Sequence, residues 1–434
     1  MAKHDWTFTA LLATAFAAGF SLPLGRVLLA LALVGLAIDV ATGKRRLRMP
    51  LSGWLWIATF ALAAVVTHFG VNPAKGMHRL PKLLWYIGIP IAASIVDSRE
   101  KAWSLVRAFV LGTGILAARV LLCNIPAAMA ATTALNEATA DFEPLLEGAF
   151  NRGSVSEYAF HSLHHALPKP TFLGTLFHQG DLGDSQRLMA GLVGAASLLL
   201  FSRALPADTR SARIECAGRS FVLPIWHVIA ALVAVALFLT FKRSSWIGAA
   251  LVLIPLLLRR VSWKKVAIGA LVVAAAIAAI PAGRARVASL AGEFSVRTGG
   301  RLAMWTQVAP GVIKDHPWGI GFRAMTPELM RQYSRLVEKN REHLHSNPIE
   351  MTSSLGWLGL ALYLAWVFVS LRDSAHLDRH IAPDARGLSW AFGGMLASLY
   401  INGLVEYNFA DAELVLIYGL LMGAASGMKW NESK

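Results

Sequence analysis

Apolar stretches of about twenty residues recur from one end of this 434-residue chain to the other. That recurrence constrains the fold more than any other feature. Such a length is what an α-helix needs to cross a ~30 Å hydrocarbon core, where every backbone polar group must be satisfied within the segment. Composition agrees, with 56% of residues hydrophobic and only 15% charged, against ~25% charged in soluble domains. The expected fold class is an all-α polytopic membrane protein, a single integral membrane domain over residues 1–434.

About twelve transmembrane helices are expected, near residues 6–22, 24–42, 51–70, 80–97, 104–124, 185–203, 221–241, 244–260, 264–281, 347–371, 388–406 and 412–428. The short connections fix their orientation. Lys44, Arg45, Arg46 and Arg48, then Arg99, Lys101 and Arg107, then Arg210, Arg213 and Arg219, and finally Arg259, Arg260, Lys264 and Lys265 all fall on one side. The positive-inside rule makes that side, and both termini, cytoplasmic. The net charge of +15 is then charge facing anionic headgroups, and a nucleic-acid partner is not expected. Cys123 and Cys216 fall on opposite sides, so no intrachain disulfide is expected. The first apolar run passes directly into the second, which is not the pattern of a cleavable signal.

This topology leaves two long segments outside, 125–184 and 282–346. The second holds ten basic residues (Arg284, Arg286, Arg297, Arg301, Lys314, Arg323, Arg331, Arg335, Lys339, Arg341) against five acids. Long loops translocate regardless of charge. A solvated basic face accounts for many of these residues. Within the loop, Thr326 is placed to cap a helix, Pro327 suits its first position, and Glu328 complements its positive end. Leu329, Tyr333, Leu336 and Asn340 would continue it as one apolar stripe, and a second short helix is expected over 301–314.

Three clusters carry possible chemistry. Thr240-Phe241-Lys242-Arg243-Ser244 makes a very short outer turn between two spans, and Arg243 offers a planar fork that matches phosphate oxygens. Arg297-Thr-Gly-Gly-Arg301, with Trp305 and His316-Pro-Trp-Gly-Ile-Gly-Phe322, combines cations with glycines that let backbone approach a ligand or simply form a turn. His345-Ser346 stands at the outer N-terminal edge of the helix that Asn347 and Pro348 begin. The dipole there disfavours imidazolium, and a neutral ring is what a general base requires. His343 is its nearest rival.

Other residues admit two readings. Arg79 and Lys82 at the outer start of the fourth span serve either lipid-diphosphate binding or interfacial anchoring. Arg119 lies inside the fifth span, where an ionisable residue signals function by default, and phosphate binding and pairing with Glu406 both suit it. Glu406, Asp411 and Glu413 flank the last outer turn, as partners for arginines or as an orienter of His345. His161, His164 and His165 are read as a solvated loop rather than a metal site, and no metal or other cofactor is expected. Glycines such as Gly112, Gly114, Gly393 and Gly394 read as close helix packing.

At His345 the sequence resembles the O-antigen ligase branch of the bacterial polymerase/ligase superfamily. That family's signature is His, then Asn, Ser or Gln, nine residues, then Gly-x-x-Gly; here it reads His345-Ser346 … Gly356-Trp357-Leu358-Gly359 without departure. The Lys-Arg turn at Arg243 and the Arg301 … Trp305 … His316 block match further, as do the span layout and the large outer loop. The resemblance implies a GT-C-like architecture in the Gram-negative inner membrane, with the active site periplasmic. It implies a metal-independent, inverting transfer of O-antigen from undecaprenyl diphosphate to a sugar hydroxyl of lipid A–core oligosaccharide. Arg243 and Arg301 would grip the diphosphate and His345 would activate the acceptor. Arg79, Lys82, Arg119 and Arg323 are further candidates for the diphosphate, while Ser346, Gly356 and Gly359 serve the motif itself.

Related readings differ in acceptor or class. An O-antigen polymerase shares the donor chemistry, and a protein O-oligosaccharyltransferase uses the same donor but is usually longer. A lipid-linked glycan flippase should show internal repeats with broken helices, and no repeat is evident.

Overall fold

The computed structural model describes residues 5–124, 181–201, 212–216, 219–240, 242–279, 300–337, 342–377 and 383–432, with isolated positions between 284 and 296. Most of the first outer segment, including His161, His164 and His165, lies outside the described residues, as do Arg286, Arg297, Lys339 and Arg341 of the second.

Helices α1 (Trp6–Ala18), α2 (Leu22–Ala41), α3 (Leu51–His68), α4 (Pro73–Arg79), α5 (Gly88–Ile95) and α6 (Arg99–Arg119) come first. Then follow α7 (Asp181–Leu200), α8 (Ile225–Leu239), α9 (Arg243–Leu258) and α10 (Trp263–Ala279). The second outer segment folds into α11 (Arg301–Ala303), a π-helical turn Met304–Val308, α12 (Ala309–Asp315) and α13 (Pro327–Tyr333). Three helices close the chain: α14 (Asn347–His376), α15 (Pro383–Asn402) and α16 (Val415–Glu432).

Among the described residues, four helices are long and apolar enough to cross a membrane: Leu22–Ala41, Leu51–His68, Arg99–Leu122 and Asn347–His376. Shorter apolar helices stand beside them at Trp6–Ala18, Ile225–Leu239, Arg243–Leu258 and Val415–Lys429. The helices and their apolar character fit a membrane protein. The fourth expected span is not one helix: Leu80–Ile87 winds as a 3₁₀ helix between α4 and α5. Pro81 and Pro90 each remove an amide donor that a continuous α ladder would use. A two-stranded antiparallel ribbon also departs from the all-helical expectation, with Ala212–Cys216 (β1) paired to Arg219–Leu223 (β2).

Helix α1 packs on α2 and α6, while α7 packs on α6, α8, α9 and α15. Helix α14 lies against α3, α15 and α16, and α5 lies against α16. Small residues set the closest crossing. A Cβ at Gly112 of α6 would sit 2.0 Å from the Phe16 carbonyl oxygen of α1, so only glycine lets these backbones meet. Several cations are tied to neighbouring segments. Arg45 and Lys101 share Asp5, Arg48 reaches the Gly427 carbonyl, and Lys429 pairs with Asp373 at 2.8 Å.

Helix α14 is broken at Gly356, whose backbone takes φ 69° and ψ −169°. The break releases carbonyls from the helical ladder, and the loop after α12 satisfies two of them. Ile320 N–H donates to the Ser353 carbonyl at 3.0 Å and Gly321 N–H to that of Ser354 at 3.0 Å. The same loop is tied to α3 by Phe322 N–H donating to Thr67 Oγ1 at 2.8 Å. The glycine-rich stretch 316–322 thus lets backbone approach a kinked helix. A Cβ at Gly356 would lie 2.6 Å from the Pro317 carbonyl oxygen, and one at Gly359 would lie 2.3 Å from Leu355 Cβ. Gly356→Ala is therefore expected to destabilise the protein by about 1–3 kcal/mol, lowering its melting temperature in detergent; an unchanged melting temperature would show that the break tolerates a side chain.

Two expected boundaries move. Helix α13 is capped by Thr326, whose hydroxyl accepts from Leu329 N–H at 3.2 Å, but it ends at Tyr333. Leu336 lies past that end and is exposed, so the long apolar stripe does not form. Helix α15 stops at Asn402, which leaves Glu406 in the connection 403–414 rather than at the foot of a span.

Candidate active site

His345 is held from both sides. Its preceding peptide donates from Leu344 N–H to Glu350 at 2.8 Å, and the Leu344 carbonyl accepts from the Trp305 indole at 2.7 Å. Ser346 is the N-cap residue of α14, and Asn347 N–H donates to the Gly403 carbonyl at 2.6 Å. His345 itself adopts φ 48°. That left-handed conformation is uncommon outside glycine and is kept where surrounding contacts over-determine it, often at functional sites.

The connection 403–414 supplies the partner. His345 Nδ1 lies 3.1 Å from Glu406 Oε2, and the other oxygen of Glu406 accepts from Arg301 Nη2. Glu406 is only 4% exposed and His345 8%. Burial raises the Glu406 carboxyl, but the His345 hydrogen bond and the charges of Arg301 and Lys242 outweigh it and hold the group down at about 2. An ionised carboxylate can only accept. In the neutral imidazole the proton facing Glu406 is on Nδ1, which leaves the lone pair on Nε2. The arrangement of base, orienting carboxylate and cation is one that proton abstraction beside an anion requires.

The sign of the pH effect follows. A carboxyl whose folded-state pKa is depressed adds stability above its unfolded value of 4.5, and that stability is lost as pH falls towards 2. Thermal denaturation over this window should fall more steeply for the wild-type protein than for Glu406→Gln; parallel curves would remove Glu406 as the source.

A buried amide network joins the motif to the Arg243 turn. Asn347 Nδ2 donates to Asn408 Oδ1 at 2.7 Å, and Asn408 Nδ2 donates to Asn402 Oδ1 at 3.0 Å. Gln186 Nε2 also donates to Asn402 Oδ1, at 2.6 Å. Asn402 in turn approaches Ser245, whose hydroxyl lies 3.0 Å from that of Ser185. Ser245 is in the first turn of α9, which Arg243 opens, while Lys242 lies close enough for its charge to lower Glu406.

The cations named from the sequence therefore separate into groups. Arg301 and His345 meet at Glu406, Lys242 is within electrostatic reach of it, and Arg243 opens the helix whose Ser245 joins the amide network. Arg119 pairs instead with Asp184 at 2.9 Å, beside the fully buried Arg187, which also approaches Glu413 at 3.4 Å. Arg79, Lys82 and Arg323 collect elsewhere, with Arg26. The His343 ring lies 4.2 Å from that of His345, centroid to centroid, tilted by 49°.

Asn402, Asn408, Gln186 and Arg187 went unread in the sequence, and Asn347 was read only as a helix start. Their signal was available: each is a polar residue within or beside an apolar stretch, where such groups mark function or partnership. Arg26 carried a different signal, as a cation in an outer turn against the positive-inside bias.

Residues 228–364 match the family model described as O-antigen ligase. Over that segment the chain is similar to the O-antigen ligase family. The match covers about a third of the chain and includes Arg243, Arg301, His345, Gly356 and Gly359. The search of curated proteins returns no match. That similarity, together with the apolar helices, supports a ligase- or polymerase-type glycosyltransferase acting in a membrane.

Proposed function

We propose that this protein is an O-antigen ligase, transferring glycan from undecaprenyl diphosphate to a sugar hydroxyl of lipid A–core oligosaccharide at the periplasmic face of the inner membrane. The observation that carries this reading is Glu406, shared between His345 Nδ1 and Arg301. It ties the base to the cation and leaves the ring's lone pair on Nε2.

In the proposed reaction the acceptor hydroxyl gives its proton to His345 Nε2 as its oxygen attacks the anomeric carbon. The bond from that carbon to the diphosphate oxygen breaks, and the electron pair leaves with undecaprenyl diphosphate. A single displacement inverts the anomeric centre. Charge grows on the departing diphosphate, and Arg301 and Arg243 stabilise it as fixed cations, a role a divalent ion plays in other enzymes. Glu406 keeps the imidazole in the productive tautomer and stabilises the imidazolium that forms.

The test is purified protein supplied with undecaprenyl-diphosphate glycan, with and without lipid A–core. Product on lipid A–core is the expected result. A lengthened donor without acceptor would make the protein a polymerase, and transport with no new glycosidic bond would make it a carrier.

A further inference from the structure

A second group of cations lies at the other end of the segment that carries Glu406. Arg26, at the start of α2, stacks with its guanidinium 4.6 Å from the Trp85 ring and donates Nη2 to the Ala412 carbonyl at 3.4 Å. Arg323, whose backbone takes φ 52°, donates Nη1 to the Ala410 carbonyl at 2.9 Å. Its guanidinium also lies 5.3 Å from the Tyr407 ring. Two cations from distant parts of the chain thus hang on carbonyls two residues apart. Lys82 is within electrostatic reach of Arg323, Arg79 and Arg26, with Asp411 the one carboxylate that offsets them there. Glu413 also faces Arg26, but it is shared with buried Arg187. Among the described residues, Arg79 and Lys82 have no ion pair and no side-chain hydrogen bond.

Four half-buried cations with so little counter-charge repel one another. The two arginines suffice to hold the connection, so structural latching does not explain Arg79 and Lys82. Exposed apolar side chains flank the group in sequence: Val27 beside Arg26, Met77 before Arg79, and Leu84 after Lys82. Cations edged by apolar surface suit an anionic headgroup that carries hydrocarbon chains. Arginine forks and a lysine ammonium together match phosphate oxygens.

We propose that Arg26, Arg79, Lys82 and Arg323 form a second anion site, which binds the phosphate of a membrane-embedded amphiphile apart from the diphosphate held by Arg243 and Arg301. The proposal rests on the reading of that diphosphate given above, and it adds a second lipid-borne phosphate to the same end of the bundle. Glu406 stands towards one end of the connection 403–414 and Ala410 and Ala412 towards the other, so the two anions would be held against opposite ends of one short connection.

The test uses the full chain in nanodiscs of zwitterionic phosphatidylcholine, titrated with inorganic pyrophosphate by calorimetry. Wild-type protein should bind at two sites. The Arg79→Gln/Lys82→Gln double variant should lose one of them, by about tenfold or more in affinity, and Arg301→Gln should lose the other. Thermal unfolding of each variant checks that it is folded. A single site in the wild type, or two unchanged sites in a folded double variant, overturns the proposal. Competition then separates sources: displacement of pyrophosphate by phosphatidylglycerol identifies bulk lipid headgroups, and displacement by lipid A–core alone identifies the acceptor's phosphates. If neither displaces it, no amphiphile uses the site and the proposal is wrong. Binding needs no turnover, so failure of glycan transfer and failure of this site are separate outcomes.

Discussion

His345→Ala is expected to reduce glycan transfer by about 10²–10⁴-fold, the range that general-base catalysis supplies. The loss should appear in kcat, with donor affinity little changed, because His345 acts on the acceptor hydroxyl and not on the diphosphate. The variant should remain folded. The peptide around His345 is fixed through Leu344 by Glu350 and Trp305, and through Asn347 by Gly403, none of which uses the imidazole. One complication is predictable: Glu406 loses a partner and keeps Arg301, so its carboxyl should rise from about 2. His345→Gln, which restores a donor to Glu406 but supplies no base, separates positioning from proton transfer. Near wild-type turnover in either variant would sink the assignment.

The second large effect is expected at Arg301. Arg301→Ala should lower kcat by about 10²–10³-fold, comparable to removing one preorganised group that stabilises transition-state charge. It should also raise the donor KM. Arg301→Lys should rescue poorly, since a point charge replaces a fork that serves both Glu406 and phosphate oxygens. Arg331→Ala is the control. That side chain is exposed and lies 3.6 Å from the Glu328 carboxylate within one helical turn, so activity should stay within about twofold. Equal losses at Arg301 and Arg331 would reduce the loop to a diffuse positive field.

Much of the local structure was legible in the sequence because it depends on nearest neighbours. Thr326-Pro327-Glu328 carries its own cap, first-turn proline and complementary charge, and a helix begins there. The Arg301–Asp315 helical stretch and the Arg243 helix start follow from the same kind of signal. The end of α13 was not legible. Its stripe continues in sequence to Leu336, yet the chain leaves helical geometry at Ser334, which instead donates its hydroxyl to Gln307 at 2.6 Å across the loop. The fourth span failed for a different reason: hydropathy reads a run of apolar residues and is blind to what Pro81 and Pro90 do to backbone hydrogen bonding.

The candidate site divides in the same way. The spacing from His345 to Gly356 and Gly359 was visible as a pattern, but its physical purpose was not. Gly356 is glycine because the His316–Phe322 loop presses its backbone on a broken helix, a contact between segments far apart in sequence. Glu406 was visible only as one of three acids near an outer turn. Ending α15 at Asn402 is what releases Glu406 to face both His345 and Arg301.

Sequence alone therefore determined that the chain is a set of apolar helices suited to a membrane, and it singled out His345, Arg243 and Arg301 as the residues to test for chemistry. Those conclusions rest on hydrophobic period, charge placement and short spacing, which are local properties of the chain. Tertiary structure alone decided which cation meets which carboxylate. Arg119 went to Asp184 and Arg301 to Glu406, because an ion pair is chosen by proximity in space and by shared burial. A one-dimensional pattern contains neither.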